Sequence, residues 1–187
     1  RSLRVQKRRK RLIDSPPRER YLSHEEEALV LGEARARYDR WIARDNPLRA
    51  HTSMMQLAAV ALAIDTGLRD EELLRLDLVH VDLDRNQVTV TADRAKNRRQ
   101  RIVPLLPRAQ KILSGLPRHA DRGGVIWHRD GAGFSELNHF LQRIGRKVGV
   151  TGIRWHDLRR TCGCRLLQDH KMPIEQVSQW LGHASVT

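Results

Sequence analysis

The chain has 187 residues, 40% hydrophobic and 30% charged, with 35 Lys or Arg against 22 Asp or Glu and a net charge of +13. That is the composition of a globular domain of ordinary size, rather than of a disordered or membranous chain. No run of about 18 apolar residues is available to span a bilayer, and the basic N-terminus lacks the apolar stretch of a secretory signal.

Most of the basic residues are Arg, since Lys occurs only at 7, 10, 96, 111, 147 and 171. Arg presents a planar fork matched to phosphate, where Lys is a point charge. A polyanion is the expected partner, with nucleic acid ahead of a membrane surface because no basic amphipathic helix carries an aromatic face. The plainer reading is a solvated basic surface with a disordered tail. Cys162 and Cys164 lie two apart in helical text and so point to different sides, which fits a reduced, intracellular protein.

Residues 1–20 carry nine Lys or Arg against Asp14 and Glu19, lack periodicity, and contain Pro16-Pro17. They are expected to form a basic linker or arm, and a linker implies a module before it. The main domain is expected over 21–187. Ser23-His24-Glu25-Glu26 is a capping box opening a helix with Leu29, Ala36 and Trp41 inward. Ser53 to Asp65 is apolar nearly all round, which predicts a central buried helix closed by Gly67. A short helix over Asp70 to Leu76 follows.

From Val79 the period changes to two. Val79, Val81 and Leu83, then Val88 and Val90, then Arg101 to Leu105 predict a small antiparallel three-stranded sheet, with a turn at Ala95 to Arg99. Helices are expected over Arg108 to Leu116, Ser135 to Val148 (Phe140, Leu141 and Ile144 inward) and Asp157 to His170 (Leu158, Leu166 and Leu167 inward). Val125-Ile126-Trp127 reads as a short extended piece. Pro173 sits at a first-turn position of a last helix with Ile174, Val177, Trp180 and Leu181 inward. The predicted fold is mainly α with a small sheet, in one domain.

Four places along this framework carry chemistry. Arg69 follows a helix-ending glycine, and Glu72 shares its helical face and suits holding a guanidinium or an imidazole. The alternative is a surface ion pair. His156 and Arg159 are three apart at a helix start, where backbone amides favour an anion, although a capping His with an exposed Arg has the same pattern. His183 follows Gly182 at a helix end, usually a solvated position. Lys96 lies on a basic hairpin tip with Arg94, Arg98, Arg99 and Arg101 around it, a probe of a groove or a leaving-group oxygen or equally a solvated turn, and Arg160 neighbours Arg159. These five arginines are the expected DNA contacts. Trp155 and Trp180 read as core rather than as base-stacking platforms. No zinc spacing or Gly-rich phosphate loop occurs, so neither a metal nor a cofactor is expected.

The text TGLRDEELLRL at 66–76, AKNRRQRIVPL at 95–105, HDLRRT at 156–161 and IEQVSQWLGHASVT at 174–187 resembles the catalytic domain of the tyrosine recombinases, the phage-integrase family. The resemblance runs from about Tyr21 to Thr187. It implies site-specific DNA recombination or integration through a 3′-phosphotyrosine intermediate, on double-stranded DNA, with four protomers in the synaptic complex. It implies a cytoplasmic, nucleoid-associated protein of a prokaryote or phage. Arg69 and Arg159 would clamp the scissile phosphate, His156 would act as general acid/base, and His183 would hydrogen-bond the phosphate. Lys96 would protonate the leaving 5′ oxygen and Glu72 would support the first arginine. The family's nucleophilic tyrosine would fall beyond Thr187, so the chain is expected to bind and position a phosphate without cleaving it. A non-catalytic DNA-binding protein using the pocket as a phosphate clamp, or a type IB topoisomerase-like relaxing enzyme, would show the same pocket.

Overall fold

A computed structural model describes residues 19–93, 99–119, 123–127 and 132–182. Most of the expected basic arm, together with Arg94, Lys96, Arg98 and His183, lies outside the described residues. The chain forms seven α-helices and one antiparallel sheet of order β1-β2-β3 within them.

Helix α1, His24–Ile42, opens on the capping box, with Ser23 Oγ accepting from the Glu26 amide and Glu26 returning to the Ser23 amide. Its buried side differs from the expected one. Val30 and Ala34 are fully buried, Leu29 is 50% exposed, and Ala36 and Trp41 are only half-buried. The adjacent Leu29-Val30 pair leaves the helical phase open by one residue, and packing on the next helix decides it.

Helix α2, Pro47–Thr66, is the axis of the molecule and begins at Pro47 rather than Ser53. Asn46 caps the Arg49 amide and Pro47 occupies a position whose N–H would be unpaired anyway. Ala59, Val60, Leu62 and Ala63 are buried around its circumference, because α1, α4 and α6 pack on it from different sides. Gly67 closes α2 in the left-handed conformation (φ 64°). A Cβ there would meet Leu181 Cδ2 at 2.5 Å, so glycine serves both the turn and the close approach of a later helix.

Helix α3, Asp70–Leu74, leads to a 3-10 turn at Leu78–His80, where Val79 is 81% exposed instead of starting a strand. Strands β1 (Val81–Asp82), β2 (Gln87–Val90) and β3 (Arg101–Pro104) pair with Val88 opposite Val81 and Val103, and Val90 opposite Arg101. One face, Val88, Val90 and Val103, is buried. Helix α4 spans Pro107–Gly115 and α5 spans Asn138–Lys147, the latter burying Phe140, Leu141 and Ile144. Between them the segment 123–127 pairs only through isolated bridges, Asp77 with Gly124 and Trp127 with Gly133.

Helix α6, Trp155–Gln168, buries Leu158 and Leu166 but leaves Leu167 36% exposed. Helix α7, Ile174–Leu181, has Pro173 just outside it as N-cap. Ile174 therefore stands at the first helical position and is 49% exposed, while Val177, Trp180 and Leu181 are buried. Among the described residues no helix is long and apolar enough to cross a membrane. The C-terminus of α2, the start of α3, the N-terminus of α6, the C-terminus of α7 and strand β3 all meet at one end of α2.

Candidate active site

That meeting point is a cleft of about 830 Å³ whose lining includes Arg69, Glu72, Arg75, Arg154, His156 and Arg159. Arg69 is the N-cap of α3, held in extended backbone by its own amide donating to Glu72 Oε2 at 2.8 Å. Its Nη1 donates to Glu72 Oε1 at 2.8 Å, and its side chain is 25% exposed toward the cleft. Glu72 is only 1% exposed in its side chain, so the pair is a rooted contact rather than a loose surface bridge.

Arg159 is buried to 3% exposure on the second turn of α6. Its Nη1 donates to the Gly67 carbonyl at 2.5 Å and its Nη2 to the Leu181 carbonyl. These are orphan carbonyls at the C-terminal ends of α2 and α7, where helix dipoles favour a cation. Burial, with Arg69 and Arg101 nearby, nevertheless lowers its pKa to about 10.

Arg101, expected among arginines reaching for DNA, is turned inward. Its side chain is 8% exposed, with Nη1 at 2.9 Å from Glu72 Oε1, Nη2 at 2.6 Å from Glu72 Oε2, and Nε at 3.1 Å from the Trp180 carbonyl. Burial works against the Glu72 charge, but hydrogen bonds from Arg101 and from the Arg69 amide and side chain outweigh it. They hold the carboxyl at about 2. Two guanidinium groups thus grip one carboxylate, and Arg159 adds a third positive charge nearby, with Arg69 and Arg159 lining the cleft.

His156 stands on the cleft rim one residue inside α6, exposed but with part of its ring against protein. Burial of that part, then Arg160 and Arg159, depress its pKa, which leaves the imidazole neutral near pH 7. The opening amides of α6 are partly engaged within the protein. Arg154 N donates to Asp157 Oδ2 at 2.8 Å and Trp155 N to Asn138 Oδ1 at 3.0 Å. An anion here would meet side chains more than the helix terminus. Arg160 is half-buried and Arg99 exposed.

The cleft also draws in Arg75, Asp93, Asn138, Gln142 and Arg154, none of which the sequence had singled out. Arg154 lies two residues before His156, and Asn138 and Gln142 share one face of α5, but no local pattern marks either. Trp155 and Trp180 are 3% and 6% exposed, and Trp180 Nε1 donates to the Thr66 carbonyl at 2.8 Å. Cys162 and Cys164 are free thiols, the former buried and raised by that burial to about 12. Neither Tyr21 nor Tyr38 lines the cleft; Tyr38 lies on α1 with the Arg35 guanidinium 5.6 Å from its ring centre.

Residues 38–187 match the phage integrase family. A tyrosine recombinase XerC of Bifidobacterium longum is 29% identical over 82% of this chain and 46% of its own length. A tyrosine recombinase XerD of Mycobacterium tuberculosis is 30% identical over 76% of this chain and 49% of its own. The chain therefore spans about half the length of the curated relatives it matches. Among solved structures, XerA recombinase superposes with a TM-score of 0.70 at 24% identity over 89% of this chain and 57% of its own. The integrase of mycobacterium phage Brujita does so with a TM-score of 0.59 at 26% identity over 72% and 45%.

Proposed function

This chain belongs to the phage integrase family, and from that footing we propose that it is the catalytic domain of a tyrosine-type site-specific recombinase acting on double-stranded DNA. The observation that carries the reading is the buried Arg159 beside Arg69 and Arg101, with one carboxylate between them and an open cleft in front. A phosphodiester is the anion that fits this excess of forked donors.

In the proposed reaction a tyrosine oxygen attacks the phosphorus, a 3′-phosphotyrosine forms and the 5′ oxygen leaves. The pentavalent transition state gains negative charge on its non-bridging oxygens. Arg69 and Arg159 stand ready to receive it, and preorganised donors of this kind are worth on the order of 10²–10³ in rate each. Neutral His156 is suited to take the tyrosine proton. Lys96 as donor to the leaving oxygen and His183 as a further phosphate ligand are proposed on the resemblance alone. Neither Tyr21 nor Tyr38 lines the cleft, so neither is assigned as the attacking tyrosine. Assembly of four protomers around two duplexes belongs to the same proposal.

The test uses the polypeptide encoded by the intact gene and nicked suicide duplexes drawn from the source genome. A covalent protein–DNA adduct is expected, lost in Arg69→Ala and in Arg159→Ala. Retained DNA binding with no adduct from any duplex would replace recombination by a passive phosphate clamp. Relaxation of supercoiled DNA with no strand exchange would point to a topoisomerase-like role.

A further inference from the structure

Glu72 is a fully subscribed carboxylate. Oε1 accepts from Arg69 Nη1 at 2.8 Å and Arg101 Nη1 at 2.9 Å, and Oε2 accepts from the Arg69 amide at 2.8 Å and Arg101 Nη2 at 2.6 Å. A carboxylate has about four acceptor positions, so none remains. This has a consequence for Arg69. Left to themselves, an Arg and a Glu three apart favour a two-pronged contact that consumes both ends of the guanidinium fork. Here Arg101 takes the second position on each oxygen, and Arg69 is held by Nη1 alone. Its side chain, 25% exposed, lines the cleft.

Arg101 has a second hold. Its Nε donates to the Trp180 carbonyl, and the next carbonyl, that of Leu181, accepts from Arg159. The end of α7 is packed tightly onto the same side chain, since a Cβ on Gly182 would lie 2.8 Å from Arg101 Cδ. Strand β3 thus reaches both arginines, one through a carboxylate and one through a helix end.

We propose that Arg101 is a positioning residue for the phosphate clamp. By saturating Glu72 it limits Arg69 to a single-donor contact, and by tethering α7 it places the carbonyl that aims Arg159. Arg101 itself does not touch the phosphate. Coming from β3, it also joins the β2–β3 hairpin mechanically to the clamp. The proposal rests on the phosphate reading of the cleft.

The experiment follows the Nε–Hε resonances of Arg69 and Arg159 by NMR while inorganic phosphate is titrated into the 187-residue chain, with melting temperature recorded alongside. Wild type, Arg101→Lys and Arg101→Gln are compared. In wild type both resonances should move with one midpoint. Arg101→Lys keeps the charge but cannot fork across both oxygens and reach Trp180, so the midpoint should weaken by about tenfold. The unliganded Arg69 signal should also shift toward that of a fully paired guanidinium. Arg101→Gln should weaken the midpoint further; should it not fold, the lysine variant decides alone. An Arg101→Lys midpoint equal to wild type, with or without a lower melting temperature, would leave Arg101 a structural residue only and overturn the proposal. A wild type whose Arg69 and Arg159 ignore phosphate would instead overturn the clamp reading beneath it.

Discussion

A guanidinium at 3% exposure with two carbonyls as its direct partners is an expensive arrangement, and Arg159 shows the cost in a pKa lowered to about 10. Its neighbours Arg69 and Arg101 add repulsion that Glu72 offsets only in part. A bound phosphate would relieve that imbalance, which is the physical reason for treating the cluster as a binding site rather than as core. His156 extends the same logic, because burial of its ring edge and the nearby Arg160 and Arg159 disfavour a second proton. Its imidazole should titrate below 6.5 in an NMR pH series, and a midpoint at or above that ordinary value would contradict the crowding described here. Glu72 gives a stability prediction with a definite sign. Its carboxyl is held at about 2 against an ordinary 4.5, so its contribution is complete above about pH 4.5 and is lost as pH falls toward 2. Glu72→Gln should destabilise the fold by about 3–5 kcal/mol at neutral pH, through the buried cations it leaves uncompensated. In denaturant titrations the gap between wild type and variant should narrow only under acid conditions. A gap that widens on acidification would reverse the sign assigned to this group.

Among elements, the C-terminal ends of α2 and α7 do most to build the site. Gly67 is the contact between them, and Gly67→Ala adds a methyl facing Leu181 Cδ2 and Cys162 Sγ at a positive φ. A loss of about 2–4 kcal/mol is expected from calorimetry, against no loss or a gain of about 0.4–1 kcal/mol for Gly115→Ala, where a Cβ meets nothing at a helical position. Equal effects at the two positions would show that the close packing of α7 on α2 is not what Gly67 serves. Helix existence was legible throughout, because capping and period-3.6 patterns are local. Phase was less so. Leu29, Leu167 and Ile174 were expected inside and are exposed, each because a neighbouring apolar residue or a helix start one position away competes for the same face. The extension of α2 back to Pro47 was hidden by the polar surface of its first turns. Arg101 was misplaced for a different reason. A basic residue on a basic hairpin looks solvent-facing, and its partners lie 29 and 79 residues away in sequence.

For the whole molecule, the order of motifs carried more information than any single one. Arg69, His156 and Arg159 are each ordinary in isolation, yet the fold brings them to one cleft at the end of the most buried helix. What the sequence did not disclose is the cleft wall contributed by Asn138 and Gln142, because α5 offers no chemical pattern beyond its apolar stripe. With a net charge of +13 on the chain, the proposed binding of DNA should be strongly salt-dependent. Arg69 and Arg159 are proposed to neutralise one DNA phosphate, and duplex DNA affinity measured across a salt series, for wild type and the Arg69→Ala/Arg159→Ala double variant, tests this most directly. The double variant should bind more weakly, and its log–log salt slope should be shallower by about 1, the signature of one lost phosphate contact. A double variant with the affinity and slope of wild type would mean that the cleft does not hold the DNA backbone.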